Sequence, residues 1–312
     1  MHLTNIITDV IGVITISLAT INALLGLICI YRILYFQLWI RRRGFLQLTY
    51  FNGPWVTRVI LILVSIWCGF GEIIRLSYLN GRGRIFSSLQ WQKNVCKFYI
   101  LSNLGFAEPS MFLMLAFLLH AALQKRESDT LSRRWNRRTI FHIILFCLPV
   151  FVCQFATVFI GPKINSDGKN ENTKIAEFFT RTSSLADGIV TCVYPLLSTI
   201  FLGAFYVILI SYVAYVGTRM LSLVINKGLR RRIYVLLFSL FLFPPWRALL
   251  LGFSVLPTPG GLAYEAIVFL AFLVLLFCTT VGIFLLVYFP VADTLALGDP
   301  ENSEMEAMPY DE

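Results

Sequence analysis

Seven long apolar segments constrain this chain more than any other feature of its sequence. A helix that crosses about 30 Å of hydrocarbon needs roughly 20 mostly apolar residues. Membrane-spanning β-strands are instead segments of about ten residues with alternating polarity, and the apolar segments here are too long and too continuous for that. We therefore predict an all-α integral membrane bundle of seven transmembrane helices within residues 1–289. The predicted spans are 8–31, 55–79, 95–124, 139–160, 187–215, 233–256 and 264–289.

Composition excludes the main alternatives to a membrane protein. Of the 312 residues, 57% are hydrophobic and only 14% are charged, whereas soluble proteins carry about 25% charged residues and disordered chains are more polar still. Only the segment 290–312 has a disordered composition, because it contains seven acidic residues and no basic one. We predict that this segment is an acidic, disordered cytosolic tail.

The distribution of basic residues predicts the orientation of the bundle. The connections after odd-numbered spans hold 15 Lys and Arg residues, and those after even-numbered spans hold 7. Because cytosolic loops carry the excess of Lys and Arg, we expect the N-terminus outside and the C-terminus in the cytosol. We predict a multi-pass protein of the plasma membrane, with an endomembrane as the alternative location.

Two arginine-rich clusters lie in the predicted cytosolic connections. Such clusters beside a membrane attract anionic lipids, so the bilayer and its anionic lipids are the expected partners. An acidic cytosolic signalling protein is a further candidate partner, whereas nucleic acid is not expected. The candidate coupling residues are Arg133, Arg134, Arg137, Arg138, Arg230, Arg231 and Arg232.

Ionisable residues inside the apolar segments are candidates for a functional site, because an unpaired charge costs several kcal/mol there. With a helical rise of 1.5 Å per residue, Glu72 lies about 10 Å, Arg247 about 13 Å and Glu108 about 20 Å below the outer boundary. Glu72 and Arg75 are three residues apart and can form an ion pair on one helical face. We predict that Glu108 or Glu72 neutralises Arg247. Glu265 lies near an outer end, where snorkelling to the surface explains it.

Three further residues complete the candidate ligand-binding or polar network. Trp246 is adjacent to Arg247, and Asp187 and Tyr194 belong to a polar stripe predicted on span five. The stripe follows helical spacing through Asp187, Thr191, Tyr194 and Ser198. Such polar stripes commonly connect membrane helices. The sequence leaves open whether the network only holds helices together or also contacts a ligand or a proton.

Prolines accompany the charged residues. Pro109 follows Glu108, and Pro244 and Pro245 directly precede Trp246 and Arg247. A proline inside a helix removes a backbone hydrogen bond and bends the axis, which a membrane bundle tolerates when neighbours satisfy the freed carbonyls. We predict hinges at Pro109, Pro244 and Pro245.

Motifs for catalysis and cofactor binding are absent from the sequence. It contains three histidines, which do not fit a three-histidine zinc site, and it has neither a nucleophile elbow nor a phosphate-binding glycine loop. We therefore expect no metal, no cofactor and no enzymatic activity. Cys96 and Cys192 lie near the predicted outer surface, where a disulfide between them is one of the open alternatives.

The second span contains Trp67-Cys68-Gly69-Phe70-Gly71-Glu72-Ile73-Ile74-Arg75. With this segment and the seven-span layout, the chain resembles the plant seven-span proteins regarded as candidate G-protein-coupled receptors. It departs from the rhodopsin-like class at two motifs, with Lys125-Arg126-Glu127 in place of Asp-Arg-Tyr and Leu286-Val287-Tyr288-Phe289-Pro290 in place of Asn-Pro-x-x-Tyr. A third departure is that the predicted connection 161–186 contains no cysteine to pair with Cys96. The resemblance implies receptor-like signalling.

Together these features predict a receptor-like protein that relays a binding event in the outer or middle membrane to the basic cytosolic loops. One alternative is a proton-coupled small-solute transporter, in which Glu108 or Glu72 exchanges protons. The other is a membrane scaffold that recruits cytosolic partners through its basic loops.

Overall fold

The computed structural model describes residues 2–43, 54–76, 89–121, 131–161, 179–186, 189–224 and 227–290. Within these residues, seven helices are long and apolar enough to cross a membrane, which confirms the predicted all-α bundle with seven candidate spans. The helices are α1 (His2–Arg43), α2 (Trp55–Arg75), α3 (Leu89–Ser102 and Glu108–Ala121), α4 (Leu131–Phe155), α5 (Leu196–Leu223), α6 (Lys227–Phe253) and α7 (Leu262–Ile283).

The third helix lies at the centre of the bundle and the first at its edge. In the most apolar stretch of α3, 78% of the residues are buried, against 22% in α1. The outward faces carry large exposed apolar side chains, such as Leu24 on α1, Leu148 on α4 and Val207 on α5. Exposing so much apolar surface to water would cost about 25 cal/mol per Å², so this surface suits a hydrocarbon environment.

Three helices contain a wider π-helical turn: Asn103–Ala107 within α3, Ala156–Ile160 after α4 and Phe284–Tyr288 after α7. The turn in α3 directly precedes Glu108 and Pro109. The ring of Pro109 would crowd the carbonyl four residues earlier in a regular α-helix. A π turn, in which Glu108 N–H donates to the Asn103 carbonyl, changes the helical register at this point.

The fifth span begins later than the sequence predicted. Ser183–Ala186 (β1) and Ile189–Cys192 (β2) form an antiparallel hairpin with Ser183 opposite Cys192, and α5 begins only after Pro195. The residue before a proline disfavours the helical conformation, and Pro195 itself is extended, with ψ 134°. The predicted helical stripe from Asp187 to Ser198 is therefore wrong, and Asp187 lies outside the described residues.

A disulfide between Cys96 and Cys192 joins α3 to this hairpin, with the two Cα atoms 5.2 Å apart. The hydroxyl of Tyr264 on α7 also donates to the carbonyl of Cys192, at 2.5 Å. Since α5 begins after Pro195, Cys192 belongs to the connection between α4 and α5. The connection is therefore longer than the predicted 161–186, and its added part contains the cysteine that pairs with Cys96.

The helices run through their internal prolines without interruption: Pro149 lies within α4, and Pro244 and Pro245 lie within α6. The hinges at Pro109, Pro244 and Pro245 remain predictions. The tail from residue 291 onward and the side chains of Arg133 and Arg134 lie outside the described residues.

Candidate functional site

Arg247 connects four helices at the centre of the bundle, where its side chain is 1% exposed. Its Nε donates to Oε1 of Glu108 at 2.6 Å, and its Nη2 donates to Oε2 of the same carboxylate at 3.1 Å. Nη2 also reaches Oε1 of Glu72 at 3.2 Å, and Nη1 donates to the Ala271 carbonyl at 2.8 Å. One guanidinium on α6 thus binds α3 through a two-point ion pair, and also binds α2 and α7.

The ion pairs continue from Glu72 toward the hairpin. Oε2 of Glu72 accepts a hydrogen bond from Nε of Arg75 at 3.1 Å. Nη1 of Arg75 lies 3.5 Å from Oε2 of Glu265, close enough for an ion pair although not aligned as a hydrogen bond. We call these five residues the charge cluster: Glu72, Arg75, Glu108, Arg247 and Glu265.

A tyrosine on α5 completes the coordination of Glu108. The hydroxyl of Tyr206 donates to Oε1 of Glu108 at 2.5 Å, and the side chain is almost fully buried. The Glu108 carboxylate therefore binds both Arg247 and Tyr206. Hydrogen bonds to a charged group are stronger than neutral ones, so this carboxylate holds α3, α5 and α6 together.

The positions of the cluster residues follow from local sequence pattern. The buried residues of α2 recur every three or four positions, which is the spacing of one helical face. Glu72 and Arg75 are the last residues of this buried face, at the end of α2 near the hairpin. The buried residues of α2 are Thr57, Arg58, Leu61, Ile62, Ser65, Cys68, Gly69, Gly71, Glu72 and Arg75.

Close packing of α2 against the π turn of α3 holds the two glutamate-bearing helices together. A Cβ added to Gly71 would lie 2.2 Å from Nδ2 of Asn103, so a larger residue does not fit without movement of that amide. The same Nδ2 donates to the Cys68 carbonyl at 3.4 Å. Glycine at position 71 thus permits the short distance between α2 and α3.

Two buried tyrosines lie beside the cluster. The hydroxyls of Tyr99 and Tyr194 are 2.6 Å apart, which connects α3 to the segment between the hairpin and α5. Burial raises the pKa of the Tyr194 phenol well above its usual range, and the charge of Glu72 acts in the same direction. Tyr194 is therefore a neutral hydrogen-bonding group next to the cluster.

The structure brings most of the predicted network residues together. Glu72, Arg75, Glu108 and Arg247 are in direct contact, and Tyr194 lies close enough to interact electrostatically with Glu72 and Arg75. Trp246 is not part of the network, because its side chain is 54% exposed on the outer face of α6. The side chain of Arg247 points inward because consecutive residues on a helix lie about 100° apart.

Three participants were not predicted from the sequence. Snorkelling does not explain Glu265, since it is 2% exposed and paired with Arg75. Tyr206 and Tyr99 are single aromatic hydroxyls within apolar segments, where sequence alone does not separate a hydrogen-bonding tyrosine from a packing one. Among the described residues, no group of three His, Cys, Asp or Glu side chains is arranged to hold a metal ion.

A bilayer-facing groove of about 620 Å³ lies between α5 and α6, beside the charge cluster. Its lining is almost entirely apolar and includes Tyr206 and Pro245. Tyr206 therefore lines the groove and also binds the cluster through its hydroxyl. Pro245 precedes Arg247 by two residues.

The predicted coupling arginines with described side chains lie at the opposite end of the bundle. Arg232 is half-buried, and the others are exposed: Arg137, Arg138, Arg230 and Arg231. We call this end of the bundle, defined by these five arginines, the basic end. The guanidinium of Arg230 lies 5.7 Å from the ring centre of Tyr234, and that of Arg232 lies 4.3 Å from the ring centre of Phe289. The cation–π contact of Arg230 leaves its exposed charge available to lipids or proteins.

The chain belongs to the family described as "Uncharacterised conserved protein UCP031277", whose model matches residues 1–305. No curated protein and no solved structure matches the chain. The family match therefore covers the whole helical bundle.

Proposed function

We propose that this chain is a receptor-like seven-helix membrane protein. In this proposal it relays a binding event in the outer or middle bundle to the basic end. The single observation that carries the proposal is the position of Arg247. It connects α6 to Glu108, Glu72 and the Ala271 carbonyl, while the other end of the same helix carries Arg230, Arg231 and Arg232.

Movement of α6 would be a means of relay. Pro244 and Pro245 lack backbone N–H groups, so this helix has fewer internal hydrogen bonds directly before Arg247. Loss or exchange of one carboxylate contact would then permit a bend at the prolines, and the arginines at the basic end would move with it. Rotation or hinge motion of a helix is a common device for such switching.

The groove between α5 and α6 supports an input from the bilayer. An apolar molecule in the groove would contact the ring of Tyr206, whose hydroxyl binds Glu108. It would also contact Pro245, next to the proposed bend. Occupation of the groove would therefore favour one arrangement of the charge cluster over another, which is what a ligand must do to shift a conformational equilibrium.

The disulfide supports the proposed orientation. Disulfides persist outside the cell or in the lumen of the secretory pathway and are rare in the cytosol. The Cys96–Cys192 bond lies at the end of the bundle opposite the basic end, so we propose an outside N-terminus and a cytosolic basic end. The disulfide also removes one of the three departures from the rhodopsin-like class, while the two motif departures remain. A plasma-membrane location is favoured, with an endomembrane as the alternative.

The proton-coupled transporter and the scaffold receive less support. Glu72 and Glu108, the carboxyls that would exchange protons, are buried and both bind the Arg247 guanidinium, so proton exchange at either carboxyl would require these contacts to break. A scaffold would make use of the basic end but gives no role to the buried cluster.

A distance measurement tests the relay. Spin labels at Phe141 on α4 and Tyr234 on α6, both exposed, report the position of α6 near the basic end, in a background with Cys29 and Cys153 replaced by serine. We expect the distance distribution to shift when Arg247→Lys removes the two-point contact with Glu108. The matched control is Arg231→Lys, which should leave it unchanged. An identical distribution in wild type and in folded Arg247→Lys protein would contradict the relay.

A further inference from the structure

A second groove, of about 290 Å³, lies between α1 and α7 at the periphery of the bundle. One end is marked by a charged residue and the rest is mostly apolar. The lining residues that matter here are Leu25, Cys29, Arg32, Ile283, Phe284 and Tyr288. Neither the charge cluster nor the proposed relay involves this groove.

The charged residue is Arg32, which is exposed. Its guanidinium carbon lies 5.7 Å from the ring centre of Tyr288. No carboxylate among the described residues forms an ion pair with Arg32. A guanidinium presents five N–H donors in a planar fork that suits a phosphate group.

Aromatic residues place Arg32 at the boundary between hydrocarbon and headgroups. Tyr31 and Tyr35 on α1 are stacked 6.3 Å apart and largely exposed, and the apolar stretch of α7 ends at Tyr288. Tyrosine and tryptophan are enriched at this level of a bilayer. From Arg32 the groove extends to Asn22, about 15 Å along α1 toward the middle of the membrane.

We infer that this groove binds one anionic phospholipid, with its phosphate on Arg32 and an acyl chain between α1 and α7. The apolar lining suits the chain, and the guanidinium suits the headgroup. The nearby guanidinium of Arg232, which lies over the ring of Phe289, adds a second positive charge at the same end of α7. Basic pockets between membrane helices favour anionic headgroups in this way.

The bound lipid would also fasten α1 to the bundle. This helix is the least buried of the seven, and at the groove it faces the π turn Phe284–Tyr288. A lipid chain in the groove fills the space between the two helices, which restores dispersion contacts that an empty groove lacks.

Native mass spectrometry of the purified, delipidated protein tests the inference, with phosphatidylglycerol and phosphatidylcholine of the same chain length as probes. We expect one phosphatidylglycerol to bind at least about tenfold more tightly than phosphatidylcholine. Arg32→Gln should weaken that binding about tenfold or more, since a charge-assisted hydrogen bond is lost. The matched control is Arg219→Gln, which should change little. Arg219 is exposed near the end of α5 and lies over the ring of Tyr215, as Arg32 lies over Tyr288, but it is outside the groove.

A second variant tests the apolar part of the groove separately from Arg32. Cys29→Trp should fill the groove while leaving Arg32 in place, and we expect it to reduce phosphatidylglycerol binding as Arg32→Gln does. Three results would overturn the inference: equal binding of both lipids, equal losses in Arg32→Gln and Arg219→Gln, or unchanged binding in Cys29→Trp. Equal losses would indicate a diffuse attraction of anionic lipid to the basic end.

Discussion

The arginines of the charge cluster and those of the basic end show how burial changes the role of one residue type. Arg75 and Arg247 are 2% and 1% exposed, and both lie against carboxylates. Arg137, Arg138, Arg230 and Arg231 are exposed. A buried charge is tolerated only with partners, so Arg75 and Arg247 fix the relative positions of helices. An exposed arginine contributes little to stability and is available to lipids and proteins.

Removal of the central guanidinium should give the largest effect. Arg247→Leu leaves the carboxylates of Glu108 and Glu72 buried without it, and breaking a buried ion pair costs about 3–5 kcal/mol. We expect a large loss of folded protein, measured as the monodisperse fraction after detergent extraction. The free energy of unfolding of Arg230→Leu, on the same helix, should stay within about 0.5 kcal/mol of the wild-type value. Equal losses of folded protein in both variants would show that burial does not decide how much an arginine contributes to stability.

The next largest effect concerns the hydroxyl that binds Glu108. Tyr206→Phe keeps the ring but removes a hydrogen bond to a charged group, which should cost about 1.5–3 kcal/mol of unfolding free energy. Tyr215→Phe is the matched control, because Tyr215 is exposed on the same helix and should change little. Reversible unfolding in mixed micelles measures both. If Tyr206→Phe leaves the free energy of unfolding unchanged, the Tyr206 hydroxyl does not stabilise the charge cluster.

Two glycines on α2 should respond differently to the same added methyl group. Gly71→Ala forces the Asn103 amide to move, and overpacking of this kind costs about 1–2 kcal/mol where a side-chain end can adjust. At Gly69 the added Cβ would lie 3.6 Å from Cβ of Ala19, an ordinary contact, so Gly69→Ala should be close to neutral. The melting temperatures of the two variants test this, and a reversed order would contradict the described packing of α2 on α3.

The smallest effect on stability is expected at the basic end. Replacement of both Arg137 and Arg138 by glutamine should change the free energy of unfolding by less than about 0.5 kcal/mol, because both side chains are exposed. Thermal unfolding in low and in high salt checks this. A cost as large as that of Tyr206→Phe would mean that these arginines hold the bundle together.

The number and approximate positions of the helices could be predicted because bilayer thickness sets the length of each apolar segment. Hydropathy does not separate a short buried strand from a helix, so the predicted fifth span includes Ile189, Val190 and Thr191. Only Pro195 signalled the boundary. The Cys96–Cys192 pairing depends on how the hairpin folds over α3, which local sequence does not specify.

Depth along the membrane was predictable for the charge cluster, because each helix rises by a fixed distance per residue. This was enough to place Arg247 near Glu72 and Glu108. The rotation of each helix about its axis was not predictable, and it decides that Trp246 faces outward while Tyr206 faces Glu108. The surface position predicted for Glu265 is wrong because depth alone does not show that the hairpin and Arg75 enclose the N-terminal end of α7.

The most direct test of the central claim, that Arg247 and Glu108 form a buried pair joining α6 to α3, is a double-mutant cycle. Arg247→Leu, Glu108→Leu and the double variant are compared with wild type by reversible unfolding in mixed micelles, and Glu72→Leu replaces Glu108→Leu in a second cycle. We predict a coupling energy of at least about 1.5 kcal/mol for Arg247 with Glu108, with the double variant more stable than the sum of the single losses implies. Additive losses in the first cycle would contradict the account.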